Sequence, residues 1–473
     1  MNKILQNTAW LSVSEGVGRA LRAILVIASA RILGADDWGA LAYTLGVSAL
    51  ITLMADFGMG AVITRELSKS DGDKKVFREK LAAAFWLRTI SLLLFFFLLF
   101  TWLSFFSKVT LTPAIIFLTG LLFAGDSLRG FFIAINRATE RMEREALINI
   151  VTQVSITALG IIALFTFPNI LFQAGVYALG SILGAVLAFF TVRGFFSSFF
   201  SDFQWQVMKG IVQSAWPFAL LSILTGLNLN IDILMLSYMR SVADIGYYSV
   251  AQKIVLFLGV LPTLVASAAF PSLSRLAGKD KEEFGRVVTR AIKMVVLVGL
   301  PIAIGGIVVG YELIEILFGP SYQAATTAFR ILLLSLFISY PITIINNALF
   351  AYDRQRDFIN YAVIGVTSNL AFNFLLIPTF GIAGAAASTV ITQFISNTFA
   401  YFRLKNINPF FLRKELTAII YSALIMGGVT YLMNIFGANV YATIGSGIII
   451  YTLLIFLLAK EDFSQFHRFL FKK

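Results

Sequence analysis

Glu15, Arg19 and Arg22 lie in the stretch SEGVGRALRAILVIASARILGADDWG (residues 14–39) at i, i+4 and i+7, one face of a helix. The rest of the stretch is apolar enough to cross a bilayer, where a central charge is disfavoured by roughly 2.5–3.5 kcal/mol even on the lenient insertion scale. Glu15 can neutralise Arg19 across one turn, which leaves Arg22 without a local partner. Two readings follow: Arg22 pairs with Asp56 on the next helix, or the face lines a wet cavity and offers cations to an anionic group. Lys253, well inside an apolar span of the second half, extends the cationic set. The candidate substrate-facing residues are therefore Glu15, Arg19, Arg22, Asp56 and Lys253.

A second set has a different chemistry. Asp232 follows Asn228 by one turn in GLNLNIDILML, Asn369 and Asn373 stand at i, i+4 in TSNLAFNFLL, and Thr389 and Gln393 repeat that spacing. One carboxylate with amide and hydroxyl oxygens is a donor set for a hard cation such as Na⁺, and Asp232 alone suits a proton. The same amides also suit hydrogen bonding between helices. Among the other intramembrane charges, Asp126 and Arg129 at i, i+3 can neutralise each other. Arg31, Arg88, Arg290 and Lys293 lie within about two turns of an expected helix end and are read as snorkelling to an interface.

Catalysis has few candidates. The chain has no cysteine, one histidine (His467, in a basic tail) and no GxxxxGK[ST] loop. Thiolate nucleophiles, thiolate metal sites, a histidine base and ATP hydrolysis are excluded, so the chain is read as a non-enzyme with no cofactor beyond a coupling Na⁺ or H⁺.

The elements that position these residues follow from composition. Of 473 residues 58% are hydrophobic and 13% charged, the balance of an integral membrane protein. Apolar windows of spanning length fall at about 9–33, 38–63, 81–106, 112–136, 146–167, 170–196, 211–238, 245–271, 287–310, 325–350, 358–377, 381–402, 415–435 and 440–459. They predict an all-α polytopic protein of fourteen crossings. Loop Lys and Arg cluster on one side, as in 65–80, 137–144, 275–286 and 460–473, while the opposite loops hold Lys108 and Arg240 alone. This bias puts both termini in the cytoplasm of a cell-membrane protein. It also explains the net charge of +12 as loop charge, so no nucleic-acid partner is expected. MNKILQNTAW lacks a small-residue cleavage site and reads as the start of a retained helix.

The chain repeats itself. RILGADDWGALAY (31–43) returns as MRSVADIGYYSVA (239–251), aligning Asp37, Trp38 and Gly39 with Asp244, Ile245 and Gly246. NRATERMEREALIN (136–149) returns as AYDRQRDFIN (351–360). A period of about 210 residues predicts two parallel six-helix lobes, 1–206 and 207–406, followed by two helices and a basic tail in 407–473. Parallel repeats of this kind are a transporter architecture. Pro217, Pro262, Pro301 and Pro341 interrupt the second repeat, which is tolerated where neighbours or water meet the freed carbonyls.

The charged first helix running into ARILGADDWG, the acid before Phe-Gly in MADFGMGAVITREL, the basic NRATERMERE loop and their recurrence resemble the polysaccharide and oligosaccharide flippases. These belong to the multidrug/oligosaccharidyl-lipid/polysaccharide exporter superfamily, and a count of fourteen helices is similar to its lipid II flippase branch. The resemblance implies that a lipid-diphosphate-linked sugar enters a V-shaped cavity from the cytoplasmic leaflet. The lobes then rock, and the headgroup leaves outside while its polyprenyl tail stays in lipid. It further implies diphosphate-binding arginines in the N-lobe, where Arg19 matches one position and Arg22 is a neighbour outside the pattern. A Na⁺ site in the C-lobe is implied at Asp232, Asn369, Asn373 and Thr389, with Asn373 standing where an acid occurs. The expected partners are a lipid-linked oligosaccharide and membrane lipids, with the protein acting as a monomer.

A drug/cation antiporter of the same superfamily is the nearest rival, but it needs an acidic cavity. A membrane glycosyltransferase or polymerase would need a catalytic constellation in a large outer loop, and none of the outer loops is that long. A scaffold would leave the intramembrane charge unexplained.

Overall fold

The computed structural model describes residues 3–69, 73–200, 203–410 and 413–458, and every regular element among them is helical. His467 and the basic tail of 460–473 lie outside the described residues. α1 (Lys3–Asp56) holds the first two crossings and turns at Gly34, whose φ of 80° is left-handed, a conformation that a side chain resists. α2 (Met59–Ser68) completes the second crossing, and α3 (Lys74–Thr101) is the third. α4 (Pro113–Ala138), α5 (Met142–Thr166) and α6 (Ile170–Val192), with the short α7 (Phe196–Phe200), make the fourth to sixth. α8 (Trp205–Met239) is the seventh, α9 (Val242–Leu258) and α10 (Val260–Leu276) together the eighth, and α11 (Lys281–Val308) the ninth. After α12 (Gly310–Phe318), which fills the loop between the ninth and tenth crossings, α13 (Ala325–Leu334) and α14 (Leu336–Ala351) form a tenth crossing bent by 40°. α15 (Gln355–Ile407) supplies two more across a turn at Gly381, and α16 (Arg413–Ile435) and α17 (Val440–Leu458) are the last. Fourteen crossings result, as the apolar windows predict. Several helices run past those windows into charged residues.

The chain divides into two units, Met1–Ser249 and Val250–Lys473. In the first, the helix break at Phe57–Gly58 (φ 48° and 66°) decides the fate of a buried charge. α1 ends at Asp56, so its final carbonyls lack intrahelical donors. Arg88 on α3, 2% exposed, donates to the Ala55 carbonyl (3.2 Å), the Asp56 carboxylate (3.1 Å) and the Ser127 carbonyl on α4 (3.1 Å). Ser91 adds a 2.6 Å bond to the same Ala55 carbonyl. Arg88 does not snorkel, contrary to the reading from its distance to the apolar window's edge. α3 begins seven residues before that window, at Lys74, and this extra helix sets Arg88 deeper.

The repeated motif meets its own copy in this unit. Trp38 and Ile245 are both fully buried, and the Trp38 indole donates to Ser249 (2.7 Å). A methyl group on Gly39 would overlap the Val242 carbonyl, and one on Gly246 would overlap the Ala35 carbonyl. Each turn thus leans on the same backbone position of the other, and glycine permits the approach.

In the second unit, prolines free carbonyls that tyrosines from other helices recover. Pro262 has no N–H for Leu258, and the Tyr340 hydroxyl of α14 donates to that carbonyl (2.8 Å). Pro301 likewise releases Leu297, which accepts from Tyr451 of α17 (2.7 Å). The kinks are thereby fixed in place.

Arg88→Met is expected to lower stability by about 3 kcal/mol or more, because it strands Asp56 and the Ala55 carbonyl. Thermal unfolding of the detergent-purified protein measures this, and an unchanged melting temperature would refute the role given to Arg88.

Candidate functional site

The face that opened the sequence is built as its spacing requires. Arg19 Nε donates to Glu15 Oε1 at 2.7 Å, the pair being half exposed on α1. Arg22, one turn further on, is exposed and makes no hydrogen bond or ion pair among the described residues. Asp56 is bonded to Arg88 and not to Arg22, so the alternative salt bridge between the first two crossings is not formed. Asp56 Oδ2 also accepts from the Gly60 amide at 3.4 Å, which ties it to the start of α2.

Two further residues that spacing did not assign to this face lie beside it. Arg22 is within electrostatic reach of Glu15, Arg19, Arg129 and the Tyr177 hydroxyl. Arg129 and Asp126 do pair across one turn of α4, at 2.8 Å, and Asp126 also accepts from Ser181 of α6 at 2.6 Å. The Arg129 stem passes beside Gly184, where a side chain would overlap Thr152 and press on that stem. The cluster therefore holds three guanidiniums and two carboxylates. Both carboxylates are engaged with Arg19 and Arg129, so the uncompensated charge is that of Arg22. The charge balance of the cluster is positive, which favours an anion over a cation.

Asp232 lies on α8 in the same unit, 1% exposed, and accepts from the fully buried Tyr248 hydroxyl of α9 at 2.5 Å. Spacing missed Tyr248. Its cue was in the repeat, where Leu41 of the first copy becomes Tyr248 in the second. Asn228, a turn before Asp232, is half buried.

The remaining candidates belong to the second unit. Asn369 and Asn373 are buried on the first arm of α15, with Asn373 Nδ2 donating to Asn369 Oδ1 at 2.6 Å. Ser388 on the second arm donates to the Asn369 carbonyl at 3.2 Å, and Thr389 donates to Ala385 at 3.1 Å. Gln393 Oε1 is a buried oxygen with no hydrogen-bond donor, in keeping with a cation-binding character, although an amide already occupies Asn369 Oδ1. Lys253 is exposed on α9. Nearby, an apolar pocket of about 510 Å³ is bounded by Leu297, Pro301, Gly305, Met426, Ile448 and Tyr451. It joins the last two helices to α11, and its size is that of ordinary ligand pockets.

Residues 4–277 match the family described as polysaccharide biosynthesis protein, and residues 217–375 match the family described as MatE. The probable flippase AglR of Haloferax volcanii is 30% identical over 175 residues, 36% of this chain and 36% of that protein. The putative O-antigen transporter of Shigella flexneri is 24% identical over 250 residues, 52% of this chain and 59% of that one. The chain thus spans between about a third and three-fifths of the curated relatives it matches. A solved structure of the lipid II flippase MurJ in an inward closed conformation superposes with a TM-score of 0.81 at 16% identity, covering 95% of this chain and 98% of that one. An inward-facing multidrug resistance MATE family transporter gives 0.67 at 16% identity, covering 85% and 98%. At these identities the likeness is one of fold.

Tyr248→Phe removes a buried hydrogen bond to a carboxylate and is expected to cost about 1.5–3 kcal/mol. Adding Asp232→Asn to it should recover part of that loss. A double-mutant cycle by thermal unfolding checks the coupling, and strictly additive losses would show that the two residues do not interact.

Proposed function

The chain belongs to the polysaccharide biosynthesis protein family, and on that footing we propose that it is a flippase for a polyprenyl-diphosphate-linked oligosaccharide. It moves the headgroup from the cytoplasmic to the outer leaflet of the cell membrane by alternating access, with both termini cytoplasmic and one chain as the working unit. The observation that carries this reading is the uncompensated Arg22 within a membrane crossing, beside the paired Arg19 and Arg129.

The physics suits the cargo. A diphosphate cannot enter hydrocarbon unaided, and guanidiniums grip phosphate oxygens in a bidentate fork. Release requires weak binding, and the carboxylates of Glu15 and Asp126 moderate the site by engaging two of the three arginines. The apolar pocket against α16 and α17 suits a prenyl chain, which needs no polar partner. Movement makes and breaks no bond, so no nucleophile or base is required.

Resetting such a carrier calls for an energy source, and Asp232 supports coupling to Na⁺ or H⁺. A cation there would cancel one buried charge and compete with the Tyr248 hydroxyl for the same carboxylate. The amide and hydroxyl oxygens of Asn369, Asn373 and Thr389, in the second unit, are of the type that a hard cation takes. The drug/cation antiporter reading draws on the MatE match. The positive balance around Arg22 opposes it, because a cationic drug would be repelled.

Arg19→Ala/Arg22→Ala is expected to reduce flipping of a lipid-linked oligosaccharide in proteoliposomes roughly ten- to a hundredfold, the loss of one to two charged hydrogen bonds. Expression should be intact. Undiminished flipping would sink the assignment, and export of a cationic dye by the wild type would favour the antiporter. For the coupling group, Asp232→Asn should flatten the dependence of flipping on Na⁺ or pH gradients, whereas transport indifferent to both in the wild type would remove Asp232 from the mechanism.

A further inference from the structure

The NRATERMERE stretch holds three arginines and three glutamates, and the proposed transport step uses none of them. Asn136 to Arg144 wrap around the end of α4, and a pocket of about 470 Å³ opens between this turn and the end of α6. Three arginines line it, Arg141, Arg144 and Arg193, and no carboxylate does. The side chains of Arg141 and Arg193 are exposed and have no hydrogen-bond or ion-pair partner among the described residues. Arg144 spends one N–H on the Thr191 carbonyl at 2.7 Å, leaving its other donors available.

The pocket is built by a rigid turn. Glu140 adopts φ 55°, unusual for a residue with a side chain, while its amide donates to Arg137 and that of Arg141 donates to Asn136 at 2.9 Å. Glu145 is 2% exposed and held by both Nε and Nη2 of Arg137, while Glu140 and Glu143 are exposed and do not line the pocket. The buried Asn136 amide donates to Thr191 at 2.7 Å and fixes the α6 wall.

The second repeat provides an internal control. Its turn has the same backbone: Asp353 at φ 57°, with the Arg354 amide donating to Leu349. There the place of Arg144 is taken by Asp357, buried and paired with Arg403 at 3.0 Å. Arg354, at the place of Arg141, is exposed as Arg141 is, so the second copy shows that the turn forms without a cation at the place of Arg144.

We propose that this pocket binds a phosphate ester. A phosphomonoester presents three terminal oxygens to the guanidiniums, and a phosphodiester two with its ester oxygens beside them, arranged tetrahedrally so that more than one arginine can approach. The volume exceeds a bare phosphate ion, and the flanking Phe190 and Phe195 suit the ester's organic part. Two sources share this chemistry: the headgroup of an anionic phospholipid, which basic pockets at helix ends bind, and a soluble phosphate ester. The site is separate from the Arg22 face and stands whether or not that face moves a lipid-linked sugar.

The test uses the full chain, delipidated in neutral detergent. Phosphatidylglycerol and phosphatidylcholine are titrated with native mass spectrometry as the readout, and glycerol 3-phosphate with thermal shift. Arg141→Gln/Arg193→Gln is expected to weaken phosphatidylglycerol binding roughly tenfold or more, at about a few-fold per charge, with no change in melting temperature before ligand is added. Arg144→Lys, which keeps the charge, should retain part of the binding. If glycerol 3-phosphate stabilises the wild type and not the double variant, the source is soluble; if only the phospholipid responds, it is the headgroup. Equal affinity for the two lipids together with no response to glycerol 3-phosphate overturns the proposal. So does an equal loss in Arg275→Gln/Lys279→Gln, which strips two charges from another basic loop.

Discussion

Hydrocarbon offers no hydrogen bonds, and every carbonyl released by a break in a helix has to find a donor inside the protein. This constraint governs where the chain bends. Arg88 and Ser91 meet the carbonyl released where α1 ends, and Tyr340 and Tyr451 meet those released by Pro262 and Pro301. In each case the donor comes from a helix distant in sequence, so a bend in one element fixes the packing of another.

The crossings were legible because hydropathy and the side preference of lysine and arginine are both properties of sequence. So was the Glu15–Arg19 pair, since i, i+4 spacing brings the side chains together on any helix. Arg88 was misread because its helix extends beyond the apolar window, and hydropathy does not see a helix continue into charged residues. Arg129 was taken as complete once Asp126 answered it; that Arg22 lies alongside is a fact of packing between α1 and α4. The break at Phe57–Gly58 gives the Asp-Phe-Gly motif its purpose, and only the partner on α3 reveals it. Tyr248 was in plain view as the place where the second copy of the motif departs from the first at Leu41.

Duplication left the two halves alike in backbone and unlike in charge. The turns at Glu140 and Asp353 match in dihedral angle and hydrogen bonding, and each lies beside a buried carboxylate held by an arginine, yet Arg144 of one is replaced by Asp357 in the other. The first repeat also carries the arginines of α1 and α4, whereas the second offers Asp232, Asn369 and Asn373. Arginines thus gather in the helices of one copy, and a carboxylate with amides in those of the other. The division works because the backbone turns do not depend on which side chains they display.

Gly39 and Gly246 form the exception to that freedom. Their reciprocal contact, each glycine against the same carbonyl position of the other copy, has the logic of an isologous interface, normally found between identical subunits. Within a single polypeptide it means that the two copies cannot drift apart independently at this turn. A bulkier residue in either would need an answering change in the other, as in a homodimer whose partners evolve in step.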